Sequence, residues 1–344
     1  MWKREPNFEN IKKVLAREVP ERPVLFELFM NMPLYERLTG EALPKDADLL
    51  SCLKKTIDAY AIAGYDYTTI HASNFHFFPD ELRKASTAKT RSLNDVPAFT
   101  DRESYEKFKW MDPRDFDDGR VEKISAYLPD GMKLLVMGPG GVLENLIDLV
   151  GYDRLCMMLY DEPELVKEVT DQIGERLLAY YEPVVQNEAV GMICSNDDWG
   201  FNTQTLLSPA DLRKYIFPWH KRIVALAHDH NKPCMLHSCG YFEDIIDDIT
   251  DMGFDARHSY EDNILPVEEA YERYHDRFGI LGGIDVDFMC RSTPEAITKR
   301  CHAMLERTEG RGGYALGTGN SVPEYVPYEN YMAMIKAAWE YKIV

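Results

Sequence analysis

The sequence predicts an α/β protein, a single (β/α)8 barrel domain over residues 1–344 with an N-terminal helical lead-in and an excursion near 84–105. Three observations carry this reading. Eight short apolar runs alternate with stretches of helical spacing. No linker, repeat or low-complexity segment interrupts the alternation. Residues able to do chemistry gather just past the apolar runs, on the face where barrels place their sites. An open doubly wound sheet is the competing architecture, but the early Gly-rich phosphate turn it calls for is absent.

Each element has a local signal. Phe8, Ile11, Val14 and Leu15 give a lead-in helix over 6–20. Strands are expected over 22–29, 65–71, 133–137, 190–194, 233–239, 254–258, 278–285 and 313–317. Helical spacing fills 48–63, 143–150, 163–186, 242–252 and 327–341, and 103–128 reads as helix broken at Pro113. Ser208-Pro209 and Thr293-Pro294 each pair a capping side chain with a first-turn proline. Gly138-Pro139-Gly140-Gly141 lacks the spacing of a nucleotide loop and reads as a strand-to-helix turn.

Composition narrows the partners. A net charge of -19 would repel a phosphate backbone and an anionic membrane surface, so neither nucleic acid nor membrane is expected. No apolar run approaches the ~20 residues of a membrane span, and the opening Met-Trp-Lys-Arg-Glu-Pro-Asn is too polar for a signal peptide. The seven cysteines are scattered without a CxxC pair. Reduced thiols and a cytoplasmic setting follow.

The sharpest motif is His237-Ser238-Cys239, at the end of the apolar run Pro233–Leu236. Side chains at i and i+2 of a strand share a face, so the imidazole and the thiolate can converge on one ion. Taken alone, the pair could equally be a buried His and a buried Cys. The other strand ends tip the balance, because they carry Glu27, Asn31, His71, Asp197, Asp198, His258, Glu261, Asp285, Thr318 and Asn320. Each singly has a structural reading, as a core histidine, a helix cap or a loop anchor. Their shared position argues for a site.

Asp197-Asp198-Trp199-Gly200, Ser208-Pro209, Pro218, His237-Ser238-Cys239-Gly240, Gly282-Gly283-Ile284-Asp285, Gly317-Thr318-Gly319 and Pro327-Tyr328-Glu329-Asn330 together resemble the uroporphyrinogen decarboxylase superfamily. The resemblance implies a barrel with one of two chemistries. One is cofactor-free decarboxylation of uroporphyrinogen. The other is zinc-dependent methyl transfer between a corrinoid, supplied by a partner protein, and a small thiol such as coenzyme M. The second branch fits better. It implies Zn2+ on His237, Cys239 and Glu261, with Thr318 standing where a further cysteine is expected. Asp198, His258 and Asp285 are expected to support catalysis, and Glu27, Asn31, His71 and Asn320 to bind substrate. Metal-activated hydrolysis or lysis, and a non-catalytic small-molecule-binding barrel, remain as alternatives.

The decarboxylase branch implies an arginine-bearing segment after the first strand, where this chain has Glu27-Leu28-Phe29-Met30-Asn31. It also implies a last-strand histidine where Thr318 stands. An octacarboxylate would meet repulsion here rather than a clamp. Incubation with uroporphyrinogen is therefore expected to yield no coproporphyrinogen at enzymatic rates by chromatography; ordinary turnover would reverse the branch assignment.

Overall fold

Apolar runs buried along most of their length form seven parallel strands in the computed structural model, which describes residues 4–78, 93–94 and 97–341. They are β1 (Tyr67–His71), β2 (Lys133–Met137), β3 (Val190–Asn196), β4 (Cys234–His237), β5 (Ala256–His258), β6 (Gly279–Leu281) and β7 (Tyr314–Ala315). They join in chain order into one sheet. Between them run helices, among them Leu49–Ala63, Val142–Val150, Pro163–Gln186, Phe217–Asp229, Val267–Tyr274 and Pro294–Thr308. Such crossovers bury both faces of a parallel sheet, and all seven residues of β3 are accordingly buried. A continuous apolar core extends from Phe8 to Ala338.

The strand expected over 22–29 shrinks to a single bridge, Leu25 to Leu316. Its physical cause lies in tyrosines. On the β7 side, Phe26 N donates to Leu316 O and Leu316 N to Val24 O. On the β1 side the backbone groups bond to side chains instead. Tyr67 Oη accepts from Glu27 N at 2.8 Å, and Tyr60 Oη donates to Leu28 O at 3.0 Å. Hydroxyls thus satisfy groups that a ladder would have used.

Other expectations resolve more simply. Residues 103–128 break into helices Arg102–Lys107 and Arg120–Ser125 around a 3-10 turn at Pro113–Phe116. Of the excursion near 84–105, residues 84–92 and 95–96 lie outside the described ones. Ser208 and Thr293 cap as expected, accepting from Asp211 N and Ala296 N ahead of a proline.

Register is what positions the site. Asn196 stands opposite His237, and His237 opposite His258, so β3, β4 and β5 end level. The loops leaving β3 and β4 then pack backbone to backbone. Gly240 has φ +82°, and a Cβ there would sit 2.1 Å from Gly200 O. Gly240→Ala is expected to cost about 2 kcal/mol or more in urea unfolding, since it combines a left-handed backbone with a clash against main chain.

Candidate metal centre

The level ends of β3 and β4 bring Asp198, His237 and Cys239 together, with ligand atoms that all lie within 4.8 Å of one another. His237 Nε2 is 3.7 Å from Cys239 Sγ. Tetrahedral zinc with bonds of about 2.1 Å to nitrogen and 2.3 Å to sulfur separates those atoms by roughly 3.6 Å. The pair therefore fits a zinc ion without rearrangement. Asp198 Oδ1 accepts the Cys239 N–H at 2.7 Å, which fixes its carboxylate beside the thiol.

Protonation agrees with this fit. Burial lowers His237 to about 4, so its imidazole is neutral near pH 7. Burial and the Asp198 charge push the Cys239 thiol up, against a lowering hydrogen bond from Asn320. Without a cation this thiol keeps its proton; a bound metal would remove it.

The hydrogen-bond network selects the ligand tautomer. His258 Nε2 is 3.1 Å from Thr318 O, a carbonyl that can only accept, so Nε2 carries hydrogen. Burial holds His258 neutral, which leaves its Nδ1 to accept from His237 Nδ1 at 2.8 Å. His237 Nε2 is left with a lone pair facing Cys239.

A family model described as uroporphyrinogen decarboxylase (URO-D) matches residues 122–341. The chain belongs to the URO-D family. A methylcobamide:CoM methyltransferase MtaA of Methanosarcina barkeri is 25% identical over 222 residues, 64% of this chain and 60% of that protein. A uroporphyrinogen decarboxylase of Hydrogenovibrio crunogenus is 22% identical over 227 residues, 65% of this chain and 60% of that protein. The matched segment thus spans 60% of the length of these relatives. A solved methyltransferase from Methanosarcina mazei shares the fold, with a TM-score of 0.70 at 15% identity over 96% of this chain and 97% of the other.

In this URO-D family chain the residues expected at the site sort into distinct places. His237, Cys239 and Asp198 converge, whereas Glu261, the expected third ligand, is not among the grouped atoms. The reason is local. Glu261 is half-buried against the Gly240 backbone, and burial with the Asp285 and Asp198 charges pushes its carboxyl up. Glu27, expected to bind substrate, is fully buried and holds Thr318 N and Thr318 Oγ1 at 2.9 and 2.6 Å. Asn31 caps the helix Met32–Thr39 and donates to Val322 O. Asp285 likewise spends both oxygens on backbone, accepting from Phe288 N and Asp262 N. His71 stacks on Phe29 at 5.3 Å. Asn320 donates to Cys239 Sγ at 3.2 Å.

Asp197 is among the strand-end residues read from sequence; Glu144 and Arg257, also near the site, are not. Asp197 is fully buried and accepts from Leu143 N, Glu144 N and His220 Nε2. It occupies the helix N-terminus after Gly138-Pro139-Gly140-Gly141, the place a phosphate would need. Glu144 accepts from Gly141 N and Asn196 Nδ2; burial and the Asp198 and Asp197 charges push its carboxyl well up. Its signal was a glutamate at the third position of a helix. Arg257, fully buried, donates to Ser238 O and Ser259 O around the ligand loop. Its signal was a cation inside an apolar strand.

Glu27 yields a pH prediction. Burial raises its carboxyl to about 8 from 4.5. Between those values the folded state keeps a proton that the unfolded state releases, so stability falls as pH rises, by at most about 1.4 kcal/mol per pH unit. This contribution is complete below 4.5 and lost on passing about 8. Glu27→Gln keeps the shape without the charge, and its urea stability relative to wild type is expected to improve steadily from pH 5 to pH 8.

Proposed function

We propose that this chain is a zinc-dependent methyltransferase, moving a methyl group from a corrinoid donor on a partner protein to a small thiol. The convergence of Asp198, His237 and Cys239 carries the reading. A zinc ion on these three groups, with one position open, would ionise an acceptor thiol near neutral pH. His237 offers a neutral imidazole oriented by His258, and Asp198 offers the carboxylate oxygen not committed to Cys239 N. The acceptor sulfur forms a bond to the methyl carbon as the donor–carbon bond breaks, and that electron pair stays on the donor. The methylcobamide:CoM methyltransferases among the relatives favour this branch. We further read residues 1–344 as one barrel domain with segment 24–28 in the eighth strand position.

Metal-activated water is the weaker reading. The Asp197 and Asp198 pair would suit it, but the Asp197 carboxylate is committed to three donors and Asp198 Oδ1 to the Cys239 amide.

Protein purified without chelator or metal-binding tag is expected to carry close to one zinc per chain, lost in Cys239→Ser and His237→Ala. Asp198→Asn should weaken zinc ~10-fold or more, and Glu261→Gln should change it much less. The opposite order would transfer the third position to Glu261. Fully active protein free of metal would refute the zinc reading.

A further inference from the structure

Thr318 stands where the family resemblance calls for a sulfur ligand, and its surroundings give it a different task. Its hydroxyl oxygen lies 2.6 Å from Glu27 Oε2 and 2.5 Å from Asn320 O. One hydroxyl has one proton, and the Asn320 carbonyl can only accept. Thr318 therefore donates to Asn320 O, and the Glu27 carboxyl donates to Thr318. The burial that keeps Glu27 protonated fits this direction.

Asn320 is thereby held by its backbone, and its side chain is oriented as well. Oδ1 accepts from Ser321 N at 2.8 Å, which turns Nδ2 toward Cys239 Sγ at 3.2 Å. From the other side of the same residue, Thr318 O receives His258 Nε2, and His258 in turn receives His237 Nδ1. Both the sulfur and the imidazole of the candidate centre are thus reached from Thr318, one through Asn320 and one through His258.

We propose that Thr318 and Asn320 are positioning residues for the metal centre, with the Asn320 amide donating an N–H···S hydrogen bond that tunes Cys239. In this chain a donor to the remaining sulfur takes the place of a second sulfur. A hydrogen bond to a ligating thiolate draws electron density from sulfur, so the ligand becomes a weaker base and the bound metal more electrophilic. Such a centre holds its acceptor thiol with less competition from the protein's own sulfur. The inference rests on Cys239 being a ligand, as in the function proposed above.

Cobalt(II) in place of zinc makes the sulfur visible, because a ligating cysteine gives a near-ultraviolet sulfur-to-cobalt band. Cobalt content and the presence of that band, abolished in Cys239→Ser, test the ligand reading; without them that reading and this inference both fail. The band's position tests the inference alone. Asn320→Leu and Thr318→Val are expected to bind cobalt ~10-fold more weakly and to shift the band to longer wavelength. Thr318→Ser, which keeps the hydroxyl, should restore both values. A band at the wild-type wavelength in Thr318→Val or Asn320→Leu would overturn the proposal, as would a Thr318→Ser band shifted as far as that of Thr318→Val.

Discussion

The site depends first on one buried anion. Asp197 has no exposed surface, yet its carboxylate is met by two backbone N–H groups at the start of Val142–Val150 and by His220 Nε2 from Phe217–Asp229. Removing those partners would leave an uncompensated charge in the interior, a penalty of several kcal/mol. The end of β3 is therefore fixed to two helices at once. Ser195 joins the same assembly, its hydroxyl 2.8 Å from His220 Nδ1. The sequence Ser-His-Asp has the look of a hydrolytic relay, but all three side chains are sealed and the carboxylate is busy with a helix. Their work is to hold the next residue. Asp198 leaves that anchor aimed at Cys239 N.

Level register then does for the ligands what the anchor does for the carboxylate. With Asn196, His237 and His258 side by side, the three loops that follow begin at one height. Gly200 and Gly240 let two of these loops touch main chain to main chain. Arg257 fastens the ligand loop from beneath through the carbonyls of Ser238 and Ser259, and its guanidinium lies 3.6 Å over the Phe242 ring. A buried cation that spends its donors on backbone is well suited to a centre whose ligands are anionic.

Much of this was legible in sequence because it rests on local rules. Seven of the expected strands form at the expected places, although the last three shorten to Ala256–His258, Gly279–Leu281 and Tyr314–Ala315, and two helix starts follow from Ser-Pro and Thr-Pro. The closeness of His237 and Cys239 was legible from their spacing, although β4 ends at His237 and Cys239 sits two residues beyond it. What could not be read depends on contacts between distant segments. No pattern within residues 22–29 says that Tyr60 and Tyr67 will satisfy their backbone groups. No local pattern says that the Cys239 amide will hold the Asp198 carboxylate beside the thiol. Asn31 and Asp285 stand just before helices, and their hydrogen bonds make each an N-cap.

Thr318 joins these two levels. A threonine hydroxyl is a poor zinc ligand beside thiolate, imidazole and carboxylate, so from its identity alone the position looked like a loss. Its neighbours change that meaning. Glu27 sits on the first expected strand segment and is 291 residues distant in sequence, yet it supplies the proton that lets Thr318 donate onward. A charged Glu27 would compete for the Thr318 hydroxyl and release Asn320 O; a neutral one directs the hydroxyl to Asn320. The same burial that costs stability as pH rises therefore keeps the donor chain pointed at Cys239. A cysteine at 318 would add a ligand and end that chain, so the two designs exclude each other at a single position.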